Sequence, residues 1–116
     1  MLMQRKRSQV LIIDVQDALA PHIETVKEVV TNTRRLAAYA ARLDVPATFT
    51  EHYPRGLGAT VGSVREAAAD ETPVLPKITF SCWQDAGIKA RLESLRKKRR
   101  DQVVVASMEA HVCVMQ

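Results

Sequence analysis

Val10-Leu11-Ile12-Ile13-Asp14 is a run of four apolar residues without alternation, closed by a carboxylate. A strand that is apolar at successive positions is buried on both faces, the situation found in a parallel sheet. Asp14 then stands at the C-terminal end of that strand. Downstream, Val26, Val29, Val30, Leu36, Ala37, Ala40 and Leu43 recur at helical spacing, interrupted on that face by Thr33. This predicts a helix from about Glu24 to Leu43. Asp44-Val45-Pro46 breaks it, since the residue before a proline is pushed out of the helical region, and Val45 to Thr50 reads as a second strand.

The pattern then repeats. Tyr53 to Gly58 is a loop by its proline and glycines, Ser63 to Ala69 a short helix, and Val74-Leu75-Pro76-Lys77 a third strand whose prolines suit an edge. Gln84 to Lys97 carries Ile88, Leu92 and Leu95 on one helical face, and Val103-Val104-Val105-Ala106 is again continuously apolar, so it reads as another buried strand. Strands alternating with helices imply right-handed crossovers and an α/β fold built on a parallel sheet. No repeat or linker divides the 116 residues, which suffice for a single domain burying roughly 60 to 70% of the surface its unfolded chain exposes.

Composition excludes several classes. With 47% hydrophobic residues and 26% charged, the chain has enough apolar surface for a core, and no apolar run reaches the ~20 residues of a membrane span. Arg5-Lys6-Arg7 is followed by an apolar run too short for a secretory leader, so the expected location is cytoplasmic, with Cys82 and Cys113 as free thiols. Neither cysteine has a second cysteine or histidine at zinc-ligand spacing. The net charge of +4 is concentrated in Arg5 to Arg7 and Arg96-Lys97-Lys98-Arg99-Arg100, without interleaved aromatics. The second run complements a helix C-terminus, so nucleic acid is not the expected partner.

In open α/β sheets reactive groups gather beyond the carboxyl ends of the strands. Three candidates stand there: Asp14, Lys77 and Cys113. A lone cysteine after a valine-rich strand is ordinarily a small buried hydrophobe, a terminal lysine is ordinarily solvated, and an aspartate there is often a helix cap. Their joint arrangement is what points to chemistry. Free cysteine is only a few per cent thiolate at neutral pH, whereas a helix N-terminus and a neighbouring ammonium lowering its pKa to about 6 would make it roughly 90% thiolate.

Leu11-Ile12-Ile13-Asp14-Val15-Gln16, Lys77-Ile78-Thr79-Phe80-Ser81 and Glu109-Ala110-His111-Val112-Cys113-Val114 occur in that order. Together they resemble the isochorismatase-like cysteine hydrolases, a family that includes nicotinamidases and carbamoylsarcosine amidases. The similarity spans roughly Gln9 to Gln116, and Thr50 to Thr60 resembles the branch containing the isochorismatase-domain proteins. The resemblance implies a Rossmann-like three-layer sandwich with strand order 3-2-1-4 and a triad of Asp14, Lys77 and Cys113. It implies acyl transfer from a small amide through a thioester, with backbone N–H groups of Glu109 and Cys113 on the oxyanion and a cis peptide between Met108 and Glu109.

Tyr53, Phe80 and Trp83 are the aromatics placed to wall a substrate pocket, although core packing would account for each equally well. In nicotinamidases the second-strand loop supplies an Asp-x-His…His metal site; His52 stands without those partners, so no metal and no cofactor are expected. Ser107 occupies a position where the family has glycine, which predicts a strained backbone. The chain ends three residues after Cys113, where a complete family member continues through further strands. The expectation is either a fragment of a longer protein or an oligomer covering the fourth strand. The alternative to a hydrolase is an inactive family member serving as an oligomeric interaction module.

Overall fold

The computed structural model describes residues 2–18 and 26–108. In chain order these form β1 (Ser8–Ile13), α1 (Val26–Arg42), β2 (Ala47–His52), α2 (Pro54–Leu57), α3 (Gly62–Ala67), β3 (Val74–Lys77), α4 (Ala86–Lys97) and β4 (Gln102–Ser107), with single 3-10 turns at Arg5–Arg7 and Cys82–Gln84. The described strands all pair in parallel and the sheet order is β3-β2-β1-β4, as the resemblance implies.

The central place of β1 explains its continuous apolar run. Val10 and Ile12 pack on one face with Phe49, Ala37, Ala40 and Val64, under α1 and α3; Leu11 and Ile13 pack on the other with Cys82 and Ile88, under α4. Burial of each of the Val, Leu, Ile and Phe side chains among these contributes about 1.5 to 3 kcal/mol. Helices on both faces of the sheet give the three-layer arrangement. Among the described residues, no helix is long and apolar enough to cross a membrane.

Several boundaries differ from expectation, each for a local reason. The first helix ends at Arg42, one residue early, because Asp44 turns left-handed (φ 55) and Val45 N–H closes back on the Ala40 carbonyl. Its predicted start at Glu24 lies outside the described residues. The second strand therefore begins at Ala47 and continues to His52. The Tyr53 to Gly58 loop contains a helical turn, with Pro54 in its first position and Gly58 ending it at φ 77. The last helix starts at Ala86 because Asp85 caps it, its Oδ1 accepting from Ile88 N–H at 3.0 Å.

Strand β4 departs most. It was expected to be buried throughout, but it alternates, with Val103 and Val105 42% and 43% exposed. Val104 and Ala106 pack against the core on one face, while the other face, which carries Val103 and Val105, is only partly covered among the described residues. The strain predicted at Ser107 is absent: it lies outside the left-handed residues and pairs in register with Ile13.

Candidate active site

Asp14 leaves β1 in the left-handed region (φ 54), a conformation that costs on the order of 1 kcal/mol and that aspartate tolerates better than most residues. Its N–H donates to the Thr50 carbonyl at 3.1 Å, and Thr50 Oγ donates back to Asp14 Oδ1 at 2.8 Å. The other carboxylate oxygen, Oδ2, accepts from Lys77 Nζ at 2.8 Å. Asp14 and Lys77 are each 2% exposed, so this is a buried ion pair.

The register explains how a residue two strands away reaches β1. Ile13 pairs with Thr50, and His52 with Lys77, so the lysine crosses the end of β2 beside Thr50, a span of about 10 Å between backbones. Its remaining ammonium hydrogens go to the carbonyls of Thr79 at 2.9 Å and Phe80 at 3.1 Å. All three donors are thus used, which is the condition under which a buried ammonium is tolerated. The expectation that a strand-end lysine is solvated fails for this reason.

Around the pair stands a second layer that sequence reasoning did not single out. Gln16, fully buried, donates to the carbonyls of His52 (3.0 Å) and Gly58 (2.7 Å) and accepts from His52 N–H (2.7 Å), clamping the end of β2 to the loop after β1. Glu51 accepts from both the N–H and the hydroxyl of Thr60. The signals were present but weak: Gln16 lies inside the first motif, and Thr50 neighbours Asp14 once β1 and β2 are in register.

Thr50→Val should therefore cost about 1.5 to 3 kcal/mol, the usual worth of a hydrogen bond to a charged group, with little change in volume. Thr50→Ser should retain most of the stability. Chemical denaturation of both variants checks this, and equal losses in the two would mean that packing, not the hydroxyl, sets the cost.

Cys82 lies on the same network, its Sγ 3.9 Å from Thr50 Oγ. Burial pushes this thiol above its ordinary range, outweighing the Thr50 hydrogen bond and the charge of Lys77, which act the other way. A group whose folded pKa is raised stabilises the fold below its unfolded pKa, near 8.5 for a thiol, and that contribution is lost as pH rises towards the folded value.

The three aromatics are not core residues: Tyr53, Phe80 and Trp83 are 54%, 55% and 52% exposed. Phe80 stacks on His52 with ring centroids 5.1 Å apart, and Tyr53 N–H donates to the Lys77 carbonyl, so both border the ion pair. Trp83 instead lies under Lys89 Nζ, 4.8 Å from its ring centre. His52 is half-buried, and its Nδ1 has no partner among the described residues. No group of three His, Cys, Asp or Glu side chains that could hold a metal occurs among those residues. Cys113, Glu109 and the Met108–Glu109 peptide lie outside them. The register does bring Ser107 beside Ile13, so the chain leaves β4 next to Asp14 on its way to Cys113.

The isochorismatase domain model matches residues 8–116, which is nearly the whole sequence. This chain belongs to the isochorismatase domain family. Isochorismatase domain-containing protein 2 of Danio rerio is 32% identical over 109 residues, covering 94% of this chain and 52% of the relative. The structure of the MAR1 ribonuclease from Caenorhabditis elegans superposes with a TM-score of 0.87 at 33% identity, covering 98% of this chain and 56% of that one. The YcaC gene product of Escherichia coli, described as an octameric hydrolase of unknown specificity, shares the fold with a TM-score of 0.81 at 17% identity over 96% of this chain and 54% of its own. The chain thus spans about half the length of the proteins it matches.

Proposed function

We propose that this isochorismatase-domain chain carries the chemistry of a cysteine hydrolase acting on a small amide or related acyl compound. The observation that supports the reading most is the buried Asp14–Lys77 pair at the carboxyl ends of β1 and β3, with every ammonium hydrogen engaged. Such a pair is costly to bury and is weak evidence of stability on its own. A carboxylate held beside a fixed positive charge is, however, what a thiol nucleophile needs.

In the proposed sequence Asp14 takes the Cys113 proton and the thiolate attacks the substrate carbonyl. Negative charge gathers on the carbonyl oxygen, facing the Glu109 and Cys113 N–H groups. Collapse breaks the C–N bond; Asp14 delivers its proton to the departing amine, leaving a thioester. Asp14 then takes a proton from water and hydroxide attacks the thioester; the C–S bond breaks, Asp14 returns its proton to the departing Cys113 thiolate, and the acid is released. Lys77 keeps its proton throughout and holds both anions in place. Tyr53 and Phe80, bordering the pair, supply the apolar edge of the acyl site.

The test is alkylation of the two thiols across pH, read by mass spectrometry, with Cys82 as an internal comparator. Cys113 should react with an apparent pKa well below the free-thiol range and lose that shift in Lys77→Ala, while Cys82, buried and pushed upward, should stay nearly unmodified through pH 8. Equal, ordinary reactivity at both positions would remove the nucleophile from the proposal.

Self-association is a further part of this reading, supported by the YcaC gene product, which has the same fold and is described as octameric.

A further inference from the structure

The two basic runs, ninety residues apart in sequence, meet at the end of the sheet opposite Asp14. Arg5–Arg7 immediately precedes β1, Arg96 to Arg100 immediately precedes β4, and the two strands are neighbours with Ser8 paired to Gln102. Hydrogen bonds hold the cationic turns together: Arg100 Nη1 donates to the carbonyls of Arg5 (2.6 Å) and Ser8 (3.1 Å), and Gln4 N–H donates to Gln102 Oε1. Lys6, Arg7, Arg96 and Arg99, with Asp101, line a depression of about 920 Å³. Arg7 is engaged by Asp101 at 2.6 Å, and Arg96 has only a 4.0 Å contact with Glu93. Lys6 and Arg99 make no ion pair with the described residues. The depression is thus lined by four cations and one acid, Asp101, a surplus of three positive charges.

Arg99 carries a second observation. It occupies the left-handed position that closes α4 (φ 70), with Arg99 N–H on the Arg96 carbonyl and Arg100 N–H on the Leu95 carbonyl. Glycine fills that position without steric cost and is the usual occupant. A cation is held there at the expense of backbone strain and of repulsion from its neighbours.

We propose that this depression is a binding site for the phosphodiester backbone of double-stranded nucleic acid, read without regard to sequence. Arginine forks match phosphate geometry. Cations on two walls of a concavity fit a rod rather than a flat membrane, and the lining has no aromatic ring on which single-stranded bases could stack. The strand length places this site about 20 Å from Asp14, so it stands independently of the proposed hydrolase chemistry.

The test is fluorescence anisotropy of the full chain with two short RNA duplexes of unrelated sequence, and with vesicles containing phosphatidylserine in parallel. Both duplexes should bind equally. With three cations free to meet phosphates, affinity should fall about 40-fold between roughly 50 and 200 mM salt. Arg99→Gly should raise the melting temperature and yet weaken duplex binding several-fold with a shallower salt dependence, a combination that a purely structural residue would not give. Should that variant fail to accumulate, Lys6→Ala with Arg96→Ala carries the same binding prediction. Absence of duplex binding at low salt, unchanged affinity in Arg99→Gly, or binding to the vesicles alone would each overturn the proposal.

Discussion

Lys77→Met should cost about 3 to 5 kcal/mol of folding stability, the usual loss when one partner of a buried ion pair is removed. Methionine replaces the aliphatic stem and fills a similar volume, so the loss reports the charge rather than a cavity. What remains is an Asp14 carboxylate 2% exposed with Thr50 as its one side-chain donor among the described residues, and carbonyls of Thr79 and Phe80 stripped of their Lys77 donor. Each of those groups left unsatisfied carries its own desolvation cost. Because a domain is stable by only about 5 to 15 kcal/mol, roughly a fifth of the total or more is at stake. Urea unfolding of the variant measures it. Asp14→Asn combined with Lys77→Met should recover a substantial part, since neither a bare carboxylate nor a bare ammonium is then buried, and the interaction energy of the cycle isolates the pair. A single-variant loss under about 1 kcal/mol would mean that water reaches the pair, and that its value is that of a surface salt bridge.

The frame of the fold was legible because it rests on periodicity. Val10 to Ile13 is apolar on both faces since β1 has helices on both sides, and Pro73 and Pro76 mark β3 as an edge. Val103 to Ala106 misled for the converse reason: an apolar run announces what a strand can bury, and α4 covers only part of β4. The helix ends were harder, since they depend on single residues accepting a left-handed backbone, Asp44 and Arg99, or on the Asp85 cap. For the site, Asp14 and Lys77 could be named from motif order, whereas Thr50 and Gln16 acquire a role only once register sets β2 against β1. The basic runs show the same limit. Each is an ordinary solvated turn by itself, and their meeting is a consequence of strand order.

Cys113→Ala should remove turnover of any acyl substrate by a factor on the order of 10⁴ or more while leaving the melting temperature within a few degrees, since no covalent intermediate can form without the thiol. The more informative arm is Asp14→Asn assayed on two substrates with the same acyl group, an amide and a p-nitrophenyl ester. The amide leaves as an amine and needs a proton in the transition state; p-nitrophenolate leaves without one. If Asp14 serves as general acid to the leaving group as well as base to the thiol, the substitution should depress amide turnover by about 10²-fold or more beyond its effect on the ester. Alkylation-protected samples confirm that both reactions run through Cys113. An equal loss on the two substrates would confine Asp14 to activating the nucleophile. Unchanged ester turnover in Cys113→Ala would place the chemistry elsewhere, leaving the buried Asp14–Lys77 pair as a structural feature that positions the strand ends.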